Sequence, residues 1–169
     1  NINTPKTWVL RNRDYARDFI KELLKNHPLI YKPLFGSQGT NVIKIESLYD
    51  FDKIENNTNV FYVQQFLETN PFHDYRVLIV KNKGQKKVFS MIRYGETYLN
   101  NFSKGAKCMP IELDSELIST AISASNILKL PFCGIDLIKY RDKIKKVMKI
   151  IYKKNLLKEI NAKKITMKE

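Results

Sequence analysis

The chain has 169 residues, with 30 Lys and Arg against 17 Asp and Glu, 43% apolar residues and 11% aromatic ones. That balance suits one domain or two small subdomains with a real core and excludes wholesale disorder. There is no run of eighteen apolar residues, and Lys6, Arg11, Arg13, Asp14, Arg17 and Asp18 crowd the first twenty positions, so neither a membrane span nor a secretory leader is expected.

In chain order, residues 12–26 place Tyr15, Ala16, Phe19, Ile20, Leu23 and Leu24 at three- and four-residue spacings behind Asn12, which predicts a capped amphipathic helix. Leu29 to Lys32 reads as a strand stopped by Pro33. Phe35 to Asn41 is a loop of small residues, and Val42 to Ile45 resumes an extended pattern. A short helix is expected at 47–56 and a strand from Val60 to Leu67. Two further strands, Tyr75–Val80 and Lys87–Ile92, join through Asn82-Lys83-Gly84 as a hairpin. Residues 114–129 predict a second helix, running into a buried strand from Phe132 to Ile138. Strands and helices alternate without a regular βαβ rhythm, so the pattern predicts α+β with antiparallel sheets.

The charge is uneven. Residues 139–169 hold 12 Lys and Arg against 3 Asp and Glu, and the remaining 138 hold 18 against 14. A basic groove would spread its cations across several elements, whereas this surplus is one terminal run, read as a charged helix face or solvated tail. Contact with RNA, an anionic membrane or an acidic partner is the competing reading. The two cysteines, Cys108 and Cys133, have no paired spacing with each other or with His27 and His73, which argues against zinc and for a reducing cytoplasm. The chain opens at Asn1 rather than Met, which reads as a fragment.

A nucleophile elbow is missing beside either histidine. Phosphate binding fares better. Gly36 and Gly39 allow close backbone approach to an anion, and Lys32 stands four residues upstream, although a plain hairpin explains the two glycines equally well. Arg76 and Arg93 lie on the two arms of the predicted hairpin, where guanidinium groups can grip phosphate. Asp136 lies in an apolar strand, and Glu159 and Asn161 fall on one face of a possible later strand. These are hard oxygen ligands, which suit magnesium bridging phosphates.

Five segments, in order, resemble a known family: Tyr31 to Gly39 (YKPLFGSQG), Val63 to Leu67 (VQQFL), Asp74 to Val77 (DYRV), Asn101 to Ala106 (NFSKGA) and Cys133 to Ile138 (CGIDLI). They are similar to the ATP-grasp ligases of the RimK-like α-L-glutamate ligase type, and the likeness covers roughly residues 4–138. The resemblance implies an ATP-grasp fold, with two α+β subdomains clamping ATP and no amino-terminal pre-ATP-grasp domain. It assigns 1–67 to a small subdomain with a glycine flap, 68–138 to a large subdomain with the metal site, and 139–169 to an atypical basic segment.

The resemblance also implies a reaction. A carboxylate takes the γ-phosphoryl group of ATP as an acyl phosphate, and an amine then displaces phosphate to leave an amide. Carried over, Lys32 contacts the α-phosphate and adenine edge. Gly36, Ser37, Gln38 and Gly39 cover the β- and γ-phosphates, Gln65 and Phe66 form the adenine hinge, and Asp74 accepts from ribose. Arg76 and Arg93 stabilise the transferring phosphoryl group and the acyl phosphate, and Asn101 sits beside the phosphates or the acceptor. Asp136 ligates Mg2+, or Mn2+ in its place, and Glu159 and Asn161 match the family's remaining metal motif by letter, 23 residues beyond Asp136. The implied partners are ATP, an amino acid such as glutamate and an acceptor, with no membrane, nucleic acid disfavoured and an oligomer compatible. A non-catalytic binding module, its basic tail on nucleic acid or an acidic partner, is the alternative.

Overall fold

A computed structural model describes residues 2–35, 39–55, 58–82, 84–99 and 105–140, together with the backbone of 144–151. These form two compact units. One comprises Thr4–His73 and Tyr94–Lys107; the other is built from Asp74–Arg93 and the chain from Cys108 onward.

The first unit is a four-stranded antiparallel sheet with helices on one face. Its strands are β1 (Thr7–Arg11), β2 (Leu29–Lys32), β3 (Ile43–Ile45) and β4 (Val60–Gln65), in the order β1-β4-β2-β3. Helix α1 (Arg13–Leu24) starts where predicted, because the Asn12 side chain accepts from the Asp14 and Tyr15 N–H groups at 2.9 and 3.1 Å. Helix α2 is shorter than expected, Leu48–Asp52. It is capped reciprocally by Ser47 and Asp50. Alternation along the strands puts Leu10, Phe61, Val63, Leu29, Tyr31 and Ile45 on the helix side, where they pack with Ala16, Ile20 and Phe51.

In the second unit β5 (His73–Asn82) and β6 (Gln85–Tyr94) are the predicted hairpin, extended at both ends, with Gly84 at φ +80°, a conformation that favours glycine. The sheet order is β7-β6-β5-β8-β9, with β7 at Lys107–Pro110, β8 at Phe132–Tyr140 and β9 at Ile144–Ile151. Helix α3 (Ser115–Ile127) covers one face. Leu117, Ala121 and Ala124 there meet Val77 and Ile79 of β5 and Cys133, Ile135 and Leu137 of β8.

Mixed helices and antiparallel pairs agree with the α+β expectation. Three strands differ from it. β1 and β7 are too short to leave a clear pattern beside stronger neighbours. β9 lies within the basic run read as a tail or helix face: it pairs antiparallel with β8, because Ile144, Val147, Met148, Ile150 and Ile151 interleave with its lysines. Among the described residues no helix is long and apolar enough to cross a membrane.

Phe61 is fully buried, with its ring centroid 5.2 Å from that of Phe51 and 6.3 Å from that of Tyr31. Phe61→Ala is expected to cost about 3–5 kcal/mol in urea denaturation; a loss under about 1 kcal/mol would contradict the first unit's core.

Candidate functional site

In the first unit the sheet face away from the helices carries a polar row. Thr7 stands opposite Gln64, and Gln64 opposite Ile30, so Lys32, two residues beyond Ile30, shares their face. The Lys32 ammonium donates to Gln64 Oε1 at 2.6 Å, and Gln64 Nε2 donates to Thr7 Oγ1 at 2.9 Å. At the end of β4, the Gln65 N–H donates to the Lys6 carbonyl at 2.8 Å and the Phe66 N–H to the Pro28 carbonyl at 3.0 Å. The Lys44 ammonium lies 4.8 Å from the Phe66 ring centroid, and Tyr98 meets that ring edge-on at 5.9 Å. Gly39 follows the glycine loop at φ +76°, a left-handed conformation that an L side chain would strain.

In the second unit four charged side chains converge on the face opposite α3. Asp74 and Arg76 are two residues apart on β5, and Arg76 stands directly across from Asp136 on β8. Arg76 grips Asp136 bidentately, Nε to Oδ1 at 2.7 Å and one terminal nitrogen to Oδ2 at 2.8 Å. Arg93, on β6, grips Asp74 the same way at 2.7 and 2.6 Å and reaches Asp136 Oδ2 at 3.1 Å. Arg93 and Asp136 are almost wholly buried, with side chains 4% and 7% exposed. A Cβ on Gly134 would come within 3.3 Å of Leu78 Cδ2, close enough that Leu78 would have to give by a few tenths of an ångström, while Arg76 Cδ at 3.9 Å would be in ordinary contact.

Burial pushes the Asp74 carboxyl above the usual carboxylate range, against the pull of Arg93. Burial would also drag Arg93 down, but its bonds to Asp74 and the charge of Asp136 hold it above its ordinary value. The two tendencies oppose each other across one contact, and the short bidentate geometry favours the ionised pair.

The structure therefore brings Asp74, Arg76, Arg93 and Asp136 together in one cluster, and Lys32 and Gln65 onto neighbouring strands of one sheet, with Phe66 directly after β4. Gly36, Ser37, Gln38, Asn101, Glu159 and Asn161 lie outside the described residues. Among the described residues no three His, Cys, Asp or Glu gather as a metal cluster. Asp136 nevertheless has the right chemistry for a magnesium ligand, because that ion needs only one or two carboxylates besides phosphate oxygens and water. Sequence reasoning missed Thr7 and Gln64. Their signal was strand alternation, which puts Gln64, not Gln65, on the face of Lys32.

Residues 1–166 match the model of the RimK-like ATP-grasp domain, which extends the likeness well past residue 138 and through most of the basic run. The alpha-aminoadipate–LysW ligase LysX of Saccharolobus solfataricus is 28% identical over 152 residues, 85% of this chain and 53% of that protein. The tetrahydromethanopterin:alpha-L-glutamate ligase of Methanocaldococcus jannaschii is 29% identical over 155 residues, 86% of this chain and 51% of that one. The chain thus spans about half the length of these curated relatives. Among solved structures, the ADP complex of N5-carboxyaminoimidazole ribonucleotide synthetase purK superposes with a TM-score of 0.67 at 15% identity, over 89% of this chain and 40% of that one. The ATP-grasp ligase PsnB complexed with minimal precursor, Mg and ADP gives 0.63 at 19% identity, over 89% and 45%. At such identities these two superpositions establish the ATP-grasp fold.

Removing one partner of a buried ion cluster strands the others. Asp136→Ala is expected to lower stability by about 3–5 kcal/mol, and Arg76→Met with Asp136→Leu together to cost less than Asp136→Ala alone. Chemical denaturation checks both, and a neutral Asp136→Ala would contradict the cluster.

Proposed function

The chain belongs to the RimK-like ATP-grasp family, and we propose on that basis that it is a magnesium-dependent, ATP-consuming carboxylate–amine ligase working through an acyl phosphate. The observation that carries the reading is the meeting of Arg76 and Arg93, from neighbouring strands, on the buried carboxylate of Asp136. Two guanidiniums and one hard oxygen ligand at a single point are what a phosphoryl group in transfer requires. Its charge spreads over several oxygens and calls for positioned cations more than for a protein nucleophile.

In this reading Arg76 and Arg93 turn donors from the carboxylates to phosphoryl oxygens and hold the substrate carboxylate in line with the γ-phosphate. Lys32 neutralises the α-phosphate, and the backbone of Gly36, Ser37, Gln38 and Gly39 covers the β- and γ-phosphates. The N–H groups of Gln65 and Phe66 are already bonded to Lys6 and Pro28, so the adenine edge is assigned to carbonyl oxygens of this hinge. Asp74 accepts from ribose, and Asn101 is assigned to the phosphates or the acceptor. Magnesium, when bound, would supply positive charge to offset that of the phosphates. Asp136, with Glu159 and Asn161, is its proposed protein ligand set, and manganese its proposed substitute.

The amine then displaces phosphate from the acyl carbon, forming the C–N bond as the C–O bond to phosphate breaks. Glutamate is the proposed amino-acid substrate, supported by the glutamate ligases among the relatives. A cytoplasmic location is proposed from the ATP requirement and the two free cysteines.

ATP with magnesium at about 100 times its Kd is expected to stabilise the chain by roughly 2.7 kcal/mol and raise Tm by about 5–10 °C. Lys32→Ala should remove most of that rise. An unchanged melting curve for the unmutated chain would contradict the reading.

A further inference from the structure

Lys32 ends an otherwise apolar strand, and what aims its ammonium is a relay across three strands. The relay can be oriented by donor counting. The Thr7 hydroxyl has a single proton, which it donates to the Pro5 carbonyl at 3.0 Å. Toward Gln64 its oxygen can then only accept, so the Gln64 amide must present Nε2 to Thr7 and Oε1 to Lys32. Gln64 is 4% exposed, too buried to exchange these partners freely for water.

We infer that Gln64, locked in orientation by Thr7, is a positioning residue for Lys32: it points a fixed carbonyl dipole at the ammonium and holds it aimed at the nucleotide's phosphates. The nucleotide part of this inference rests on the ligase reading above; the relay itself does not. Without Thr7 the amide is free to rotate and present its NH2 to the ammonium, turning attraction into repulsion. Register makes the arrangement possible, since Thr7 faces Gln64, Gln64 faces Ile30, and Lys32 stands two residues beyond Ile30 on the same face.

Two readouts on the intact chain separate the relay from the reading beneath it. The first is the acetylation rate of Lys32 by acetic anhydride, mapped by mass spectrometry against the exposed Lys25. Gln64→Leu and Thr7→Val should each raise it about tenfold by releasing the amine from its hydrogen bond to Oε1, whereas Gln64→Glu, which keeps an acceptor oxygen, should leave it slow. Unchanged labelling in both Gln64→Leu and Thr7→Val overturns the relay. The second is the Kd for ATP with magnesium. Gln64→Leu should weaken it about tenfold in the unmutated background and not at all in Lys32→Ala, because the two residues act as one unit. Equal weakening in both backgrounds overturns the positioning role. A Lys32→Ala chain that binds ATP normally overturns the nucleotide reading instead, with the labelling result still deciding the relay.

Discussion

Two guanidiniums and two carboxylates, closely paired on one face of a five-stranded sheet, set the main constraint on this molecule. Each ion costs several kcal/mol to remove from water, and only near-ideal pairing compensates. The sheet supplies that pairing through register. Asp74 and Arg76 share a face because they are two residues apart, and Asp136 faces Arg76 because β5 and β8 pair at that position. The opposite face is committed to packing under α3. An apolar replacement of a buried ion cluster is often no less stable than the original, so a cluster with two cations around one carboxylate fits a role in chemistry better than one in holding the fold.

Strong periodicity made parts of the fold legible. α1 followed from Asn12 and its apolar spacings, and the β5–β6 hairpin from alternation around Gly84. β1 and β7 were hidden by their four or five residues, and β9 by a lysine count that masked the apolar residues between them. The limit on reading the site was of another kind. Residue type alone marked Arg76, Arg93 and Asp136 as phosphate and metal chemistry. Their pairing was not readable, because Arg76 and Asp136 are 60 residues apart and meet only through strand register. The same holds for Gln64, whose neighbour Gln65 occupies the motif position while alternation gives Gln64 the contact with Lys32.

The two units carry complementary chemistry. One holds a lysine on a built hydrogen-bond relay, next to a glycine loop; the other holds the guanidiniums and the carboxylate. The chain belongs to the RimK-like ATP-grasp family, and in the reaction proposed on that basis a nucleoside triphosphate and a carboxylate occupy such groups. That reaction asks for no nucleophile elbow, because its attacking group is the substrate's own carboxylate.

That last step can be followed atom by atom. When the intact protein turns over ATP with an amine such as glutamate and an acceptor whose reacting carboxylate carries 18O, attack by that carboxylate places one of its oxygens on phosphorus. The account predicts released inorganic phosphate containing one 18O for each amide bond formed. Phosphate free of label, alongside amide formation, would contradict an acyl-phosphate ligase.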